Sequence, residues 1–370
     1  MASFIKMILQ IARQLDLIVY YIFYRWKYNI INNQVLFLSQ TRNDLTGNFE
    51  FIYNEIKADY LVKTALGDHI GERKELAKTF AMSHYILVDD FTPIIYPIPL
   101  RKGTHLIQVW HALGAFKTIG FARSRNHDRF SMTHRNYDDT IVSSASIVKD
   151  YAKAFRMNEK DVHPIGIPRT DIFFNERKKA SIRFSLYREY PWLKGKKVIL
   201  FAPTFRGGNI HNAYYDYSKI NFKKLQMALG DEYACIVKMH PFISQGVPED
   251  LDPSFYIDLS SQRDINDLLM ITDILITDYS SVIFEAALLP IKTIFFIYDL
   301  ENYIADRDFF YPFEKYTYGP VAFTQEEMID AILYGAVNEE KKKEFVDYFI
   351  NACDGYSSKR FVETLMRIDI

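Results

Sequence analysis

The segment Ile274-Leu-Ile-Thr-Asp278-Tyr-Ser280-Ser281-Val-Ile-Phe-Glu285 joins two apolar runs through a small polar turn. The first run predicts a buried strand. The second run predicts an apolar helix, and Ser280 and Ser281 before it are hydroxyl residues of the kind that favour helix N-termini. Strand, turn and helix together form one βα unit of a parallel sheet. The free amides and dipole of such a helix start suit a diphosphate, although an ordinary helix cap explains the same serines.

Short apolar runs alternate with longer amphipathic stretches on both sides of this unit. They are residues 35–38, 60–62, 85–88, 106–110 and 140–142 in the first half, and 198–201, 234–237, 255–257, 274–276 and 293–297 in the second. This alternation predicts two Rossmann-like halves with parallel sheets. The charged stretch 177–197 is the best linker candidate, and a cleft between the halves is the expected ligand site.

Length and composition agree with two ordered domains. The 370 residues exceed the usual size of a single core, and 49% of them are hydrophobic. A net charge of -1 excludes the broad positive field of a general nucleic-acid binder. Cys235 and Cys353 form no CxxC pair, so the sequence predicts no zinc site and favours a reducing cytoplasm.

The N-terminal segment 1–30 predicts an amphipathic helix. Its longest uncharged run, residues 17–24, is too short to span a membrane, and no signal-peptide cleavage site follows it. An interfacial helix on a membrane and a helix packed on its own domain are both compatible with its apolar stripe. That stripe consists of Phe4, Ile8, Ile11, Leu15, Ile18 and Ile22.

Two histidines stand at predicted strand ends, whereas the familiar nucleotide motifs are missing. Neither GxxxxGK[ST] nor GxGxxG occurs, which argues against a P-loop kinase and a dinucleotide oxidoreductase. His111 follows residues 106–110, and His240 follows residues 236–239. Because strand carboxyl ends face the ligand crevice, both imidazoles can meet one substrate, although ordinary core or surface histidines remain the alternative.

A third candidate is Leu200-Phe-Ala-Pro203-Thr204-Phe-Arg206-Gly207-Gly208. Here a strand leads into a hydroxyl, a guanidinium and two glycines. Arg206 can clamp a phosphate bidentately, and the glycines let the backbone approach a ligand. An arginine beside an ordinary flexible turn explains the motif equally well.

The chain resembles the CDP-glycerol glycerophosphotransferases of teichoic-acid synthesis, with their ribitol-phosphate and capsule-polymer relatives. The resemblance extends from about residue 35 to the end. The motifs that carry it are Trp110-His111-Ala-Leu-Gly114-Ala-Phe-Lys117, Gly166-Ile-Pro168-Arg169-Thr-Asp171, Ala202-Pro-Thr-Phe-Arg206, Lys238-Met-His240-Pro241, Asp264-Ile-Asn266-Asp-Leu-Leu, Thr277-Asp278-Tyr-Ser280-Ser281-Val-Ile-Phe-Glu285, Asp299-Leu-Glu-Asn-Tyr303 and Arg307-Asp-Phe-Phe310.

This resemblance implies an α/β fold of the GT-B type, with a cleft between two Rossmann-like domains. An acceptor-binding domain would cover residues 31–180, a CDP-donor-binding domain 190–356 and a closing helix 357–370. The donor would be CDP-glycerol or CDP-ribitol, without a cofactor. The acceptor would be a prenyl-diphosphate-linked glycan or polymer at the cytoplasmic membrane surface, and no nucleic acid is expected as a partner.

The resemblance also implies roles for individual residues. His111 would take the proton of the acceptor hydroxyl as it attacks the donor β-phosphorus, and His240 would neutralise the diphosphate or assist departure of CMP. Phosphate would be held by Arg206, Thr204, Ser280 and Ser281. Further donor-site candidates are Lys238, Asp278, Glu285 and Arg307, and acceptor-side candidates are Gly114, Lys117 and Arg169.

Two positions depart from the family pattern, and two triplets resemble metal motifs. Glu285 stands where the family has Asp, and Asp308 where it commonly has Gly. Residues 250–252 and 306–308 have the DxD form, but neither triplet follows a convincing strand, so we predict surface acids and no metal.

Two other functions remain open from the sequence. A GT-B glycosyltransferase that uses a nucleotide sugar would employ the same amides and Arg206. A non-catalytic, membrane-associated scaffold would keep the fold and the N-terminal helix. Such a scaffold has no need for His111 and His240 to face one crevice, so their placement discriminates between scaffold and enzyme.

Overall fold

The computed structural model describes residues 2–123, 130–207, 210–248, 250–261 and 264–366. Helices alternate with strands, as predicted for an α/β chain. The first elements are α1 (Ala2–Arg13), α2 (Leu15–Lys27), β1 (Ile31–Ser39), α3 (Asn48–Ile56), β2 (Leu61–Leu66), α4 (Arg73–Met82), β3 (Ser83–Val88), β4 (His105–Gln108), β5 (Asp139–Ile141), α5 (Val148–Phe155) and β6 (Val162–His163). The following elements are α6 (Glu176–Glu189), β7 (Lys197–Phe201), α7 (Phe222–Leu229), β8 (Tyr233–Val237), β9 (Tyr256–Asp258), α8 (Ile265–Leu269), β10 (Ile274–Thr277), α9 (Val282–Ala287), β11 (Lys292–Phe296), α10 (Leu300–Asp306), β12 (Val321–Ala322), α11 (Gln325–Leu333), α12 (Glu339–Phe349) and α13 (Ser357–Leu365).

The chain divides into two compact units. The first comprises Met1–Phe174 and Phe349–Ile370, and the second comprises Asn175–Tyr348. Two borders differ from the predicted ones, because residues 175–180 belong to the second unit and residues 349–356 to the first. The chain therefore leaves the first unit once and returns to it.

The sheet of the first unit is parallel throughout, with strand order β2-β1-β3-β4-β5-β6. Strand β1 pairs with β2 on one side, where Leu36 lies opposite Lys63, and with β3 on the other, where it lies opposite Ile86. The central part of β1 is fully buried, as expected for a parallel strand covered on both faces. The strand order changes direction between β1 and β3, and ligands of such sheets bind outside the carboxyl ends at this point.

The returning segment completes the first unit through polar contacts. The carboxylate of Asp171 accepts hydrogen bonds from the backbone N–H of Ser357 (3.0 Å) and from the N–H (2.8 Å) and hydroxyl (2.7 Å) of Ser358, at the start of α13. Gly166 has a positive φ of 87°, and a Cβ there would lie 2.3 Å from the carbonyl oxygen of Ala352. Within one family motif, Asp171 thus binds the start of α13, and Gly166 lets the returning backbone approach closely.

The predicted N-terminal helix is in fact two helices that meet at Gln14. Helix α2 packs against α4 and buries Leu17 and Tyr21 completely, neither of which belongs to the predicted stripe. Helix α1 instead leaves its apolar side chains about half exposed. None of the described helices has the length and apolarity needed to cross a membrane. Helix α2 therefore packs through one face only. It also leaves Leu15, Val19, Ile22, Phe23 and Trp26 at least half exposed, so both helices present apolar side chains at the surface.

The sheet of the second unit is also parallel, with strand order β12-β11-β10-β7-β8-β9. Strand β7 lies between β10, where Leu200 is opposite Leu275, and β8, where it is opposite Ile236. The order changes direction between β7 and β10. The loops after these two strands therefore border the expected ligand crevice of this unit.

The predicted linker 177–197 begins just after the border between the two units, but most of it forms helix α6 and a short 3₁₀ turn of the second unit. The side chain of Asn175 caps the helix by accepting the N–H of Lys178 at 3.1 Å. Leu186 is buried, and Arg183 donates to the carbonyl of Met270 at 2.7 Å. The helix is charged because most of its surface faces water, and charge alone does not distinguish a surface helix from a linker.

Candidate active site

A tight turn at the end of β4 presents His111. Trp110 has a positive φ of 48°, which is uncommon for a bulky residue. Its N–H donates to the side-chain oxygen of Gln108 at 2.9 Å. The amide of Asn48, at the start of α3, donates to the carbonyls of Val109 (3.0 Å) and Trp110 (2.7 Å). Buried side-chain amides therefore hold the strained backbone beside the histidine.

The imidazole of His111 lies against the ring of Trp110, with 4.4 Å between the centroids. The side chain is 41% exposed, and its Nδ1 is 3.5 Å from Oδ1 of Asp90. Asp90 follows β3, which borders the switch point of the sheet. His111 thus stands at a strand carboxyl end, as the sequence predicts, beside a carboxylate that the sequence analysis missed.

The acceptor-side candidates Gly114 and Arg169 join the same framework. Gly114 donates its N–H to the hydroxyl of Ser143 at 3.0 Å and accepts the hydroxyl of Tyr151 at 2.9 Å. The N–H of Arg169 donates to Asn48 at 3.1 Å, so one asparagine connects this backbone to the His111 turn. The third candidate, Lys117, is partly exposed in the loop after β4. Their contact with an acceptor remains a prediction.

A buried aromatic cluster supports the turn from behind. His134 packs against Trp110 and Phe155, with centroids 5.9 and 4.9 Å away, and its Nδ1 hydrogen bonds to the hydroxyl of Tyr137 at 3.0 Å. Burial lowers the pKa of His134 to about 4, although the charge of Asp90 opposes this shift. The imidazole of His134 is therefore neutral at pH 7.

In the second unit, the loops after β7 and β10 meet at a buried carboxylate. Oδ1 of Asp278 accepts the N–H of Thr204 at 2.7 Å and that of Tyr279 at 2.6 Å, and Oδ2 accepts Nη1 of Arg206 at 2.8 Å. Burial raises the pKa of Asp278, while Arg206 and the two N–H groups oppose the increase. Asp278, predicted as a donor-site residue, in fact ties the two switch-point loops together.

Most of the Arg206 guanidinium is engaged by two carboxylates and a backbone carbonyl. Nε and Nη2 donate to Asp299 at 2.7 and 2.9 Å, and Nη1 donates to Asp278 and to the carbonyl of Thr204. Four of its five N–H groups are therefore engaged, and the residue is 7% exposed. Burial lowers its pKa, but the charges of Asp278 and Asp299 outweigh this effect and raise it. Arg206 thus lies in an ion-pair centre that also lines a surface pocket, and its contact with a donor phosphate stays a prediction.

His240 and Arg307 lie against one aromatic ring. The imidazole is 4.6 Å from the ring of Phe205, and the guanidinium of Arg307 is 4.8 Å from it. The N–H of Phe242 donates to Nδ1 of His240 at 3.1 Å, so the neutral imidazole carries its proton on Nε2. The structure therefore groups these two predicted donor-site residues around Phe205.

The other donor-site candidates differ in accessibility. Ser280 and Ser281 are partly exposed after β10, where the Ser280 hydroxyl accepts the N–H of Val282 at 3.4 Å and the Ser281 side chain forms no cap. Lys238 donates to the carbonyl of Ser260 at 2.9 Å, and burial lowers its pKa. Glu285 is only 1% exposed, so a donor contact by this carboxyl has no support in the structure.

A surface pocket lies beside this ion-pair centre. It opens between the loops after β7 and β11 and helix α10, with Arg307, Lys219 and Phe205 among its lining residues. Gly207 borders it with a positive φ of 93°, and a Cβ there would lie 2.1 Å from the carbonyl oxygen of Asn212. Of the two predicted glycines, Gly207 is required by this turn, and Gly208 lies outside the described residues.

Residues 20–367 match the family model of CDP-glycerol:poly(glycerophosphate) glycerophosphotransferase. The chain belongs to this family. The match confirms the resemblance that the motifs predict.

Two relatives of this glycerophosphotransferase-family chain and one solved structure show how similar the chain is to known proteins. The teichoic acid poly(ribitol-phosphate) polymerase of Bacillus spizizenii is 44% identical over 91% of the chain, which spans 56% of that protein's length. The teichoic acid ribitol-phosphate primase of the same organism is 34% identical, with 90% of each chain covered. The structure of the wall teichoic acid polymerase TagF superposes with a TM-score of 0.76, 20% identity and 97% coverage of both chains. This last similarity shows that the fold is shared.

Proposed function

We propose that this glycerophosphotransferase-family chain transfers a polyol phosphate from a CDP-linked donor to a lipid-linked acceptor in teichoic-acid or related envelope-polymer synthesis, with release of CMP. The proposal rests mainly on the family match, which includes His111 and His240 at strand carboxyl ends of the two units. We further propose that the units form a GT-B cleft in which both imidazoles meet one substrate. A donor-bound structure with the two histidines on opposite outer surfaces would contradict this arrangement.

The proposed reaction is an in-line displacement at phosphorus. The acceptor hydroxyl oxygen attacks the donor β-phosphorus, and the bond from this phosphorus to the bridging oxygen breaks, so CMP leaves. His111 takes the hydroxyl proton. His240 has its proton on Nε2 and so donates a hydrogen bond to the diphosphate, while Ser280 and Ser281 contact its oxygens. Phosphoryl transfer depends mainly on such positioning and charge neutralisation.

We propose CDP-ribitol as the preferred donor. The support is the name of the relative at 44% identity, a poly(ribitol-phosphate) polymerase. The ribitol-phosphate primase covers nearly the same length as this chain, so both a single addition and polymerisation fit the family. Product length on a lipid-linked acceptor distinguishes these two activities.

The donor is tested with a substrate panel. The purified chain is incubated with a prenyl-diphosphate-linked acceptor and with CDP-ribitol, CDP-glycerol or nucleotide sugars, and CMP or UDP release is measured by chromatography. We expect CMP release that is fastest with CDP-ribitol. Consumption of a nucleotide sugar would favour a glycosyltransferase, and no consumption of any donor would favour a scaffold.

The proposed base is tested by His111→Ala. We expect turnover to fall by about 10²- to 10⁴-fold, while calorimetric affinity for the CDP-linked donor is retained, because a base acts on the acceptor proton. His163→Ala is the matched control, since this histidine of the same unit also pairs with a carboxylate, Asp139, at 2.6 Å. Near-normal turnover of His111→Ala would eliminate it as the base.

A further inference from the structure

The imidazole of His111 has two chemically different sides. Its Nδ1 is buried and has no hydrogen-bond partner, although the side chain as a whole is 41% exposed. The exposed part therefore lies away from Nδ1. Oδ1 of Asp90 is 3.5 Å from this nitrogen. A buried lone pair facing a carboxylate would be unsatisfied and repelled, so the proton of the neutral ring belongs on Nδ1.

Asp90 is held at a fixed distance from the histidine turn. Its Oδ1 accepts the N–H of Phe91 at 2.6 Å. The side chain of Gln108 donates to the Asp90 carbonyl at 3.2 Å, and its oxygen accepts the N–H of Trp110 at 2.9 Å. Gln108 is fully buried, so a single amide spans from Asp90 to the residue before His111. Hydrogen bonds at the carboxyl ends of β3 and β4 therefore fix the position of Asp90 relative to His111.

Apart from His111, the described charged or titratable groups beside Asp90 have another partner or carry no charge at pH 7. Among the described residues, His111 is the ion-pair partner of the Asp90 carboxylate within 4.0 Å. The adjacent Asp89 binds Arg42 instead. The buried His134 senses the charge of Asp90, but it is neutral at pH 7 because burial lowers its pKa to about 4. In the part of the chain that the structure describes, His111 is thus the group that pairs with the negative charge of Asp90.

We propose that Asp90 is a positioning residue that fixes His111 with its proton on Nδ1 and its Nε2 lone pair available to the acceptor hydroxyl. The catalytic part of this inference rests on the proposed function. When the acceptor oxygen bonds to phosphorus, its proton moves to Nε2, and the resulting imidazolium faces the Asp90 carboxylate. That proton returns to water after CMP leaves. A carboxylate behind a histidine base acts in this way, by orientation and charge, without taking the proton itself.

The test measures the histidine tautomer directly. Side-chain ¹⁵N spectra are recorded at about pH 8.5, well above the ordinary imidazole pKa, and the His111 signals are assigned by their loss in His111→Asn. We expect a protonated Nδ1 and an unprotonated Nε2 in the native protein, and a shift towards protonated Nε2 in Asp90→Asn. Asp139→Asn is the matched control, because it alters the other carboxylate–histidine pair of this sheet and should leave the His111 signals unchanged.

Kinetics then separate positioning from a merely structural role. Asp90→Asn should lower kcat by about 10²- to 10⁴-fold with an unchanged donor KM, and Asp90→Glu should restore part of kcat. A protonated Nε2 in the native protein, or identical spectra for Asp90→Asn, would overturn the proposal. If the tautomer responds to Asp90 but the native chain transfers no polyol phosphate from any donor, the proposed function fails while the link between Asp90 and His111 is supported.

Discussion

At the end of β7, one guanidinium and two carboxylates share a site that is nearly closed to water. Asp278 follows β10, and Asp299 follows β11, so three strand ends supply the group. Tyr279 and Tyr303 surround the guanidinium at about 5 Å from their ring centres. Removing one member of such a buried network destabilises the fold by more than the complete network stabilises it. The remaining charge stays desolvated and has lost its partner.

Arg206→Ala should therefore lower the free energy of unfolding by about 3 to 5 kcal/mol, since Asp278 would remain buried without its cation. Urea unfolding followed by circular dichroism measures this change. Arg188→Ala, an exposed arginine of the same unit, should shift the midpoint little. An unchanged midpoint for Arg206→Ala, together with weaker donor binding, would favour the phosphate-clamp role.

Individual site residues were predictable where they depend on strand ends, and not where they depend on distant partners. His111 and His240 stand where apolar runs stop, which is visible in the sequence. Asp90 and Asn48 reach the His111 turn because the carboxyl ends of β1, β3 and β4 lie close together in the folded sheet, which no local sequence pattern shows. Asp299 was visible in a family motif, but nothing in its local sequence indicated that it binds Arg206.

Helix α13 shows how one carboxylate can organise a whole element. Asp171 accepts three hydrogen bonds at the helix start, although it lies more than 180 residues earlier in the chain. The helix has no side-chain cap of its own. Asp171 therefore replaces the local cap and joins the helix to the first unit.

Asp171→Ala should destabilise α13 by about 0.5 to 2 kcal/mol, the usual effect of losing a helix cap. Hydrogen exchange of the α13 amides should become correspondingly faster. Glu363→Ala changes an exposed acid near the other end of the same helix and should leave exchange nearly unchanged. Equal protection in Asp171→Ala and the native protein would show that the packing of α13, and not this cap, holds the helix.

The elements themselves were predicted unevenly, for physical reasons. All ten apolar runs overlap strands of the structure, because buried parallel strands need continuous apolar sequence. Strands β6 and β12 have two residues each and leave no detectable pattern. Helix α6 was missed because its long charged face resembles a linker when its cap and buried Leu186 are not seen.

The whole molecule has two parallel-sheet units, as the alternation of runs predicts, but their borders could not be read from local composition. Local sequence composition predicts that residues 349–366 are the end of the second unit. Hydrogen bonds such as that from Ala352 N–H to the Ser143 carbonyl, at 3.0 Å, place them in the first. Long-range polar contacts of this kind have no periodic signature.

An apolar surface on helix α1 is a candidate for contact with a membrane. Phe4, Ile5, Ile8 and Leu9 are each about half exposed on α1. Lys6 and Arg13 can each add about 1 kcal/mol of attraction to an anionic leaflet. We propose that α1 places the protein peripherally at the cytoplasmic membrane face, whereas α2 belongs to the packed unit because it buries Leu17 and Tyr21.

Deletion of residues 1–13 should therefore weaken flotation with anionic vesicles at low salt and leave donor affinity intact. The double variant Ile5→Ser/Ile8→Ser should also weaken flotation. Phe323 is an exposed apolar residue of the second unit, and Phe323→Ser should change flotation little. Deletion of residues 1–27 is expected to unfold the first unit instead. Equal flotation of the native and 1–13-deleted proteins would place membrane binding elsewhere.

The return of the chain at Phe349 has a consequence for biosynthesis. At about 5 to 20 residues per second, a ribosome needs roughly 10 to 35 seconds to pass from the first part of the N-terminal unit to its last helix. The second unit is continuous and can fold during that interval, whereas Asp171 and the Ser143 carbonyl of the first unit lack their partners until the returning segment emerges. We therefore expect the second unit to complete its folding before the first, the reverse of the usual N-terminal-first order, with the incomplete first unit as the part of the nascent chain most open to aggregation and chaperone binding.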